Sequence, residues 1–425
     1  MADELGINYV PLHVIYAHIH MKKKLLLAIC LLVTMNGFAQ KKDFKYKFYG
    51  QIRTDLFYNS RANKETVDGL FYMYPLDKLP DADGKDLNAT ANGSFYVLYT
   101  RLGVDVAGPK LGNAKTSAKV EVDFRGSGTT FSTVRVRHAY LNLDWGKSAL
   151  LMGQTWHPLF GDVSPQILNL SVGAPFQPFS RAPQIRYQYT NKNLQLTGAA
   201  IWQSQYLSVG PDNVKSQNYI KNSCIPEIYA GADYKGKNWL VGAGIEMVSL
   251  KPRTQSVVED KVYKVDERIT SLSYEVHMKY TSPVWYIAAK SILGSNLTQV
   301  SMLGGYGIKS IDQRTGEQEY SPNRNSSSWL NIVYGKKWKP AVFFGYMKNL
   351  GTNDEVTKMY GTGTNVDQLI SASAELTYNV PHWKIGVEYN FSSAWYGSLD
   401  KSDGTIIDTH SVSNNRLVAT VLFMF

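Results

Sequence analysis

The chain has 425 residues, with 45 Lys and Arg against 35 Asp and Glu and a formal net charge of +10. A mean hydropathy of −0.25 excludes a bundle of membrane-spanning helices. It does not exclude a β-barrel, whose lipid-facing half is hidden in alternation. Two cysteines, Cys30 and Cys224, are too few for a disulfide framework.

Residues 1–20 carry no targeting logic and read as an upstream mis-start. From Met21 a different pattern begins. Lys22, Lys23 and Lys24 form a basic region, 25–33 an apolar core, and Gly37-Phe38-Ala39 a small–x–small cleavage site. This is the pattern of a secretory signal peptide, expected at 21–39 with a mature chain from Gln40. The apolar core is too short for a spanning helix, which needs ~20 apolar residues. Ile29 is a poor match to the small residue that lipidation at Cys30 would require. The mature chain keeps a net charge of +9 and only Cys224.

From 40 onward, alternating segments predict strands near 46–58, 94–107, 115–126, 131–145, 148–156, 183–190, 194–203 and 225–235. Further strands are expected near 238–250, 267–281, 284–295, 326–338, 340–349, 367–379, 382–394 and 411–425. The count is even. Short connections such as Trp145-Gly146-Lys147-Ser148, Lys235-Gly236-Lys237-Asn238 and Lys339-Pro340 alternate with long ones at 59–93, 157–182, 204–224, 251–266, 296–325, 350–366 and 395–410. One connection on the long side, 126–130, is short. The last strand alternates Leu417, Ala419, Val421 and Phe423 against Arg416, Val418, Thr420 and Leu422, and stops at Phe425. A strand that ends the chain on an aromatic residue resembles the C-terminal signal of bacterial outer-membrane barrels. The expected fold is all-β: a transmembrane antiparallel up-and-down β-barrel of about 16 strands in one domain, 40–425, with short periplasmic turns and long extracellular loops. The 28 Tyr, 16 Phe and 9 Trp suit interfacial girdles.

Catalytic motifs are lacking. There is no G-x-S-x-G elbow, and no His or Cys spacing that would hold a metal. No cofactor is expected. Asp81-Ala82-Asp83-Gly84-Lys85-Asp86 resembles part of a calcium loop, but Asn92 stands where the closing Glu belongs, and an ordinary solvated turn is the better reading. An outer-membrane lipase remains the least favoured reading. Nucleic acid is not an expected partner. The informative basic residues are those on inward strand faces: Arg53 beside Gln51 and Asp55, Arg101 beside Asp105, Arg125, Arg135 and Arg137, and Arg186 beside Gln184 and Gln188. Their grouping in the first six strands predicts a basic wall lining a water-filled lumen.

The most distinctive segment runs Gly153-Gln154-Thr155-Trp156, then Phe160-Gly161-Asp162, Gly173-Ala174-Pro175-Phe176 and Arg181-Ala182-Pro183-Gln184-Ile185-Arg186-Tyr187. Together with Arg135-Val136-Arg137-His138-Ala139-Tyr140, it resembles the DcaP-like family of outer-membrane porins, over roughly 100–190. The resemblance implies homotrimers of sixteen-stranded barrels set in outer-membrane lipid and lipopolysaccharide. It also implies a constriction loop at about 157–182 and a preference for small organic anions such as dicarboxylic or aromatic acids. It marks Arg53, Arg101, Arg135, Arg137, Arg181 and Arg186 as candidate pore arginines, with Asp55, Asp105 and Asp162 as groups that neutralise part of their charge. The alternative is a carbohydrate-preferring or structural barrel, with Trp156, Trp202, Tyr229 and Tyr286 as members of a sugar track.

Overall fold

The computed structural model describes residues 43–66, 69–125 and 133–425. The expected signal peptide, the twenty residues before it and the connection at 126–130 lie outside the described residues. Sixteen strands follow in chain order. The first eight are β1 (Lys45–Asn59), β2 (Asn92–Tyr96 and, after a break, Arg101–Leu111), β3 (Ala114–Arg125), β4 (Thr133–Asp144), β5 (Ser148–Trp156), β6 (Arg181–Asn191), β7 (Leu194–Ile201) and β8 (Glu227–Lys235). The second eight are β9 (Trp239–Leu250), β10 (Ile269–Thr281), β11 (Trp285–Ser295), β12 (Arg324–Tyr334), β13 (Trp338–Gly351), β14 (Val366–Val380), β15 (Trp383–Leu399) and β16 (Ile406–Met424). Each pairs antiparallel with its neighbours in sequence, and β16 returns to β1 in the register Gln51–Met424 to Asn59–Arg416. No edge is left open. Among the described residues no helix is long and apolar enough to cross a membrane. Crossing by strands requires this closure, because lipid offers no partner for an exposed ladder.

The period-two alternation decides which side chains face out. Ile52, Leu56, Leu102, Val120, Leu141, Val241, Leu272 and Leu417 are all exposed on the outer wall. Their strand neighbours Asp55, Glu121, Asp123, Glu246, Glu275, Glu388 and Arg416 are buried inside. This is the reverse of a soluble sandwich, as expected of a barrel wide enough to hold water. Four outward tryptophans open every second strand of the second half, and each meets, at a tilt, the ring of the residue paired with it in the next strand. These pairs are Trp239–Tyr280 (4.8 Å between ring centroids), Trp285–Tyr334 (4.6 Å), Trp338–Tyr378 (4.9 Å) and Trp383–Phe423 (4.7 Å). They form an aromatic band beside the short turns. Phe425 continues the closing seam: its N–H donates to Gly50 O, and Gly50 N–H donates to Phe425 O at 2.9 Å.

Two strand boundaries differ from the sequence reading. The turn expected at Lys339-Pro340 lies instead at 335–337. Gly335 adopts φ +108°, where a Cβ would stand 2.1 Å from Trp338 O. Pro340 is absorbed into β13, beyond the last pair with β12, Val333–Ala341. The strand expected as continuous over 94–107 is broken at 97–100. The long loops also carry structure that alternation did not announce. There are hairpins at Asn63–Thr66 with Phe71–Pro75 and at Gln255–Val258 with Lys261–Lys264, and a small sheet of Gly304–Ile311, Gln318–Pro322 and Met359–Thr362. The acidic turn at 81–86 is an ordinary one. Asp81 Oδ1 accepts the N–H groups of Asp83 and Lys85, and Asp86 pairs with Arg61 at 2.7 Å. Burial pushes the Asp86 carboxyl up, but hydrogen bonds from Leu79, Arg61 and Asn88 outweigh it and hold the group below its ordinary range.

Candidate functional site: the constriction and its arginines

The connection after β5 runs from His157 to Ser180 and folds into the lumen instead of outward. Its ends meet where His157 N–H donates to Ser180 O at 3.0 Å. Its course is fixed by polar anchors on the opposite wall. Glu388 accepts the N–H groups of Leu168 (2.7 Å) and Asn169 (2.8 Å), and Asn331 accepts that of Gln166 (2.8 Å). Tyr286 donates to Ser164 O, Ser327 to Phe176 O, and Trp329 Nε1 to Gln177 Oε1. Lys290 donates to Leu159 O and Lys279 to Asp162 O. Backbone groups that would otherwise be unpaired inside the barrel are satisfied one by one. The sequence left open whether Leu168, Leu170 and Phe176 narrow the pore or pack on the wall. All three are buried in one cluster with Trp329, Phe343 and Met347, and Leu170 also bounds the open cavity. Gly345 makes room for Phe176, since a Cβ there would lie 2.6 Å from its ring.

A second loop joins this plug. The strand Phe71–Pro75 is buried throughout. Phe71 meets Phe179 edge-on at 4.9 Å, Tyr72 hydrogen-bonds Ser392, and Tyr396 donates to Pro75 O at 2.7 Å. The first long loop was expected outside; here its hairpin narrows the lumen together with the constriction loop.

What stays open lies along the β1–β5 wall. A cavity of about 340 Å³ is bounded by Arg53, Tyr99, Arg101, Glu121, Arg137, His138 and Trp156 on the wall and by Ile167, Asn169, Leu170, Val172 and Phe179 of the loop. A cavity of about 210 Å³ is lined by Arg135, Tyr206, Lys64, Glu65, Lys215 and Met302, and Tyr99 lines both.

The arginines take distinct places. Arg53 is clamped to Asp55 (2.8 Å) and donates to Leu168 O at 2.6 Å, so it holds the loop as well as lining the cavity. Arg135 grips Asp123 bidentately at 2.8 and 2.6 Å. Arg137 bridges Glu121 (2.6 Å) and Asp123 (2.9 Å). Arg101 lines the cavity with no ion pair among the described residues, and its buried Nε has no hydrogen-bond partner among them. Arg181 is fully buried among Trp156 (4.5 Å), Phe179 (5.4 Å) and Tyr206 (5.9 Å), with one hydrogen bond to Tyr206. It begins β6, so the loop ends one residue before it. Arg186 donates to Gln184 Oε1 (2.9 Å) and Trp156 O (2.5 Å) and lines neither cavity. Arg125 closes β3, and its side chain is not among those described.

The neutralising groups also sort differently from the sequence reading. Asp55 does pair with Arg53. Asp105 pairs with Lys119 (2.9 Å) and Asp162 with Lys235 (2.7 Å), and the Asp162 charge also acts on Arg186. Glu121 and Asp123 pair with pore arginines, and the sequence reading did not select them. They stood on the inward face of their strand, but only the β3–β4 register, Asp123 opposite Arg135 and Glu121 opposite His138, makes them partners. The four aromatics suggested as a sugar track have different contacts. Trp156 stacks on Phe160 at 3.8 Å, Tyr229 is buried and donates to Glu275, Tyr286 holds the loop, and Trp202 is exposed.

The DcaP outer membrane protein family matches residues 33–244. No curated protein matches the chain in sequence. Among solved structures, the outer membrane channel DcaP of Acinetobacter baumannii is similar at 20% identity and a TM-score of 0.66, covering 91% of this chain and 99% of that one. The trimer form of the outer membrane protein OmpT of Vibrio cholerae is 13% identical with a TM-score of 0.53, covering 90% and 100%. An anion-selective porin from Comamonas acidovorans is 10% identical with a TM-score of 0.53, over the same shares. With a closed sixteen-stranded barrel and a match to an outer membrane protein family over residues 33–244, the chain is an outer-membrane β-barrel that resembles the DcaP family.

Proposed function

We propose that the chain is a passive, mildly anion-selective porin that admits small organic anions, carboxylates above all, and performs no chemistry on them. The observation that carries this reading is the charge of the open wall. Arg53, Arg101, Arg135 and Arg137 stand against Asp55, Glu121 and Asp123. Among the described residues, Arg101 lines the cavity without an ion-paired carboxylate. Beside low-dielectric walls a fixed charge is screened less than on an open surface, so a small excess sets ion preference. A guanidinium with free donors can take a carboxylate in passing, and the polar lining keeps that contact weak enough for release. In a tenfold KCl gradient across a planar bilayer, the wild-type protein should show a reversal potential on the anion-selective side. A potential of zero or on the cation side contradicts the reading.

The working assembly is a homotrimer joined through the outer walls of the first strands, with the remaining wall against lipid and lipopolysaccharide. The Trp pairs lie between β9 and β16, and the wall of β2–β6 presents Leu102, Val120, Val134, Leu141 and Ile185 together with Phe95, Tyr187 and Tyr189. Closed symmetric contacts are the usual use of such a patch. Native mass spectrometry of detergent-extracted protein should report trimers; monomers alone contradict it.

A further inference from the structure

We propose that His157, Glu227 and Glu246 form a divalent-cation site, with zinc as the ion that their donors fit, which fastens the root of the constriction loop to the barrel wall. His157 is the first residue of that loop, Glu227 opens β8, and Glu246 lies on the inner face of β9. The three side chains are 1%, 1% and 0% exposed. His157 Nε2 stands 3.1 Å from Glu227 Oε2 and 3.6 Å from Glu246 Oε1, and all three ligand atoms lie within 4.8 Å of one another. A tetrahedral ion with bonds of about 2.1 Å needs its ligands roughly 3.4 Å apart, so the two measured edges bracket that spacing.

Charge points the same way. No Lys or Arg pairs with Glu227 or Glu246 among the described residues. Two carboxylates taken out of water without a cation are costly, and one divalent ion balances both. Glu246 Oε2 and Gln299 Oε1 are buried with no hydrogen-bond partner, the condition of atoms waiting for a ligand. An outer ring is in place: Gln203 Nε2 donates to Glu227 Oε1 at 2.7 Å, and Gln299 Nε2 to Glu246 Oε1 at 3.3 Å.

One contact opposes the ion and gives the test a signature. Leu159 N–H donates to His157 Nδ1 at 3.2 Å, so without metal the imidazole carries its proton on Nε2, facing the carboxylates. Metal on Nε2 requires that proton to sit on Nδ1 instead, and the Leu159 bond must give way. Binding therefore moves the loop backbone two residues into the constriction.

The test uses the full chain folded in the outer membrane and extracted in detergent without chelators. Elemental analysis and zinc titration should find about one zinc per chain, held against dialysis. Glu246→Gln and His157→Gln should each abolish it. Gln299→Leu, which leaves the three ligands intact, should weaken it about tenfold. Chelation should lower the thermal midpoint of the wild type and leave that of Glu246→Gln unmoved, and zinc should change the Leu159 amide signal in NMR. Folding of each variant is checked by its heat-modifiable gel mobility. If Glu246→Gln does not fold, Gln299→Leu carries the comparison. A wild-type chain that binds no zinc, variants that bind it undiminished, or manganese binding in preference to zinc would each overturn the proposal.

Discussion

Replacing Arg135 and Arg137 together with serine is expected to move the reversal potential toward cations, with a change in the anion-to-cation permeability ratio of about five-fold at low salt. The two arginines sit on alternate positions of β4 and converge on Asp123, which is fully buried, while Arg137 also holds Glu121. Their removal takes two positive charges from the wall and leaves both carboxylates behind. Entry of a dicarboxylate in liposome swelling should slow in parallel. Stripping a buried carboxylate of its partners costs about 3–5 kcal/mol, so folding must be confirmed by heat-modifiable mobility. Adding Asp123→Asn to the double variant should move the potential part of the way back. A double variant that keeps the wild-type reversal potential at low salt refutes the basic-wall mechanism even though the chain is an outer-membrane channel.

Shortening the constriction loop by replacing 162–175 with a Gly-Gly-Ser link is expected to raise single-channel conductance at least about two-fold and to flatten ion preference. The deleted stretch contains Leu168 and Leu170, and its backbone is what Glu388, Asn331 and Arg53 hold across the lumen. The barrel ladder does not depend on it, because each strand pairs with its sequence neighbour and β16 pairs with β1. Glu388→Ala is the milder form of the same experiment. It releases two backbone N–H groups at the loop tip and should appear as added open-channel noise at nearly unchanged mean conductance. Unchanged conductance in the shortened variant would place the narrowest point elsewhere, with the buried Phe71–Pro75 hairpin as the next segment to remove.

The architecture was legible in the sequence, because a strand's side chains alternate with period two and a barrel must present one apolar face to lipid. All sixteen barrel strands stand near their expected positions, and the errors fall where local signals mislead. Pro340 looked like a turn, but the left-handed backbone at Gly335 makes it. The loop strands were missed because they are short, and Phe71–Pro75 is buried on both sides and does not alternate.

For the site, the sequence alone determined which residues face inward: Arg53, Arg101, Arg135, Arg137, Glu121 and Asp123 all follow from alternation. The tertiary structure decided what each does there. Strand register put Asp123 opposite both Arg101 and Arg135, and the side-chain contacts gave it to Arg135 and Arg137, with no ion pair to Arg101 among the described residues. The fold of the loop sealed Arg181 in an aromatic cage and turned Asp162 toward Lys235. His157, Glu227 and Glu246 carry no shared motif, since 70 residues separate the first two, and they meet only because barrel closure brings β8 and β9 beside the loop root. Alternation is a property of one strand and can be read from it; ion pairing depends on distances of a few ångströms between strands, which the chain acquires only when the strands pair and the loops pack.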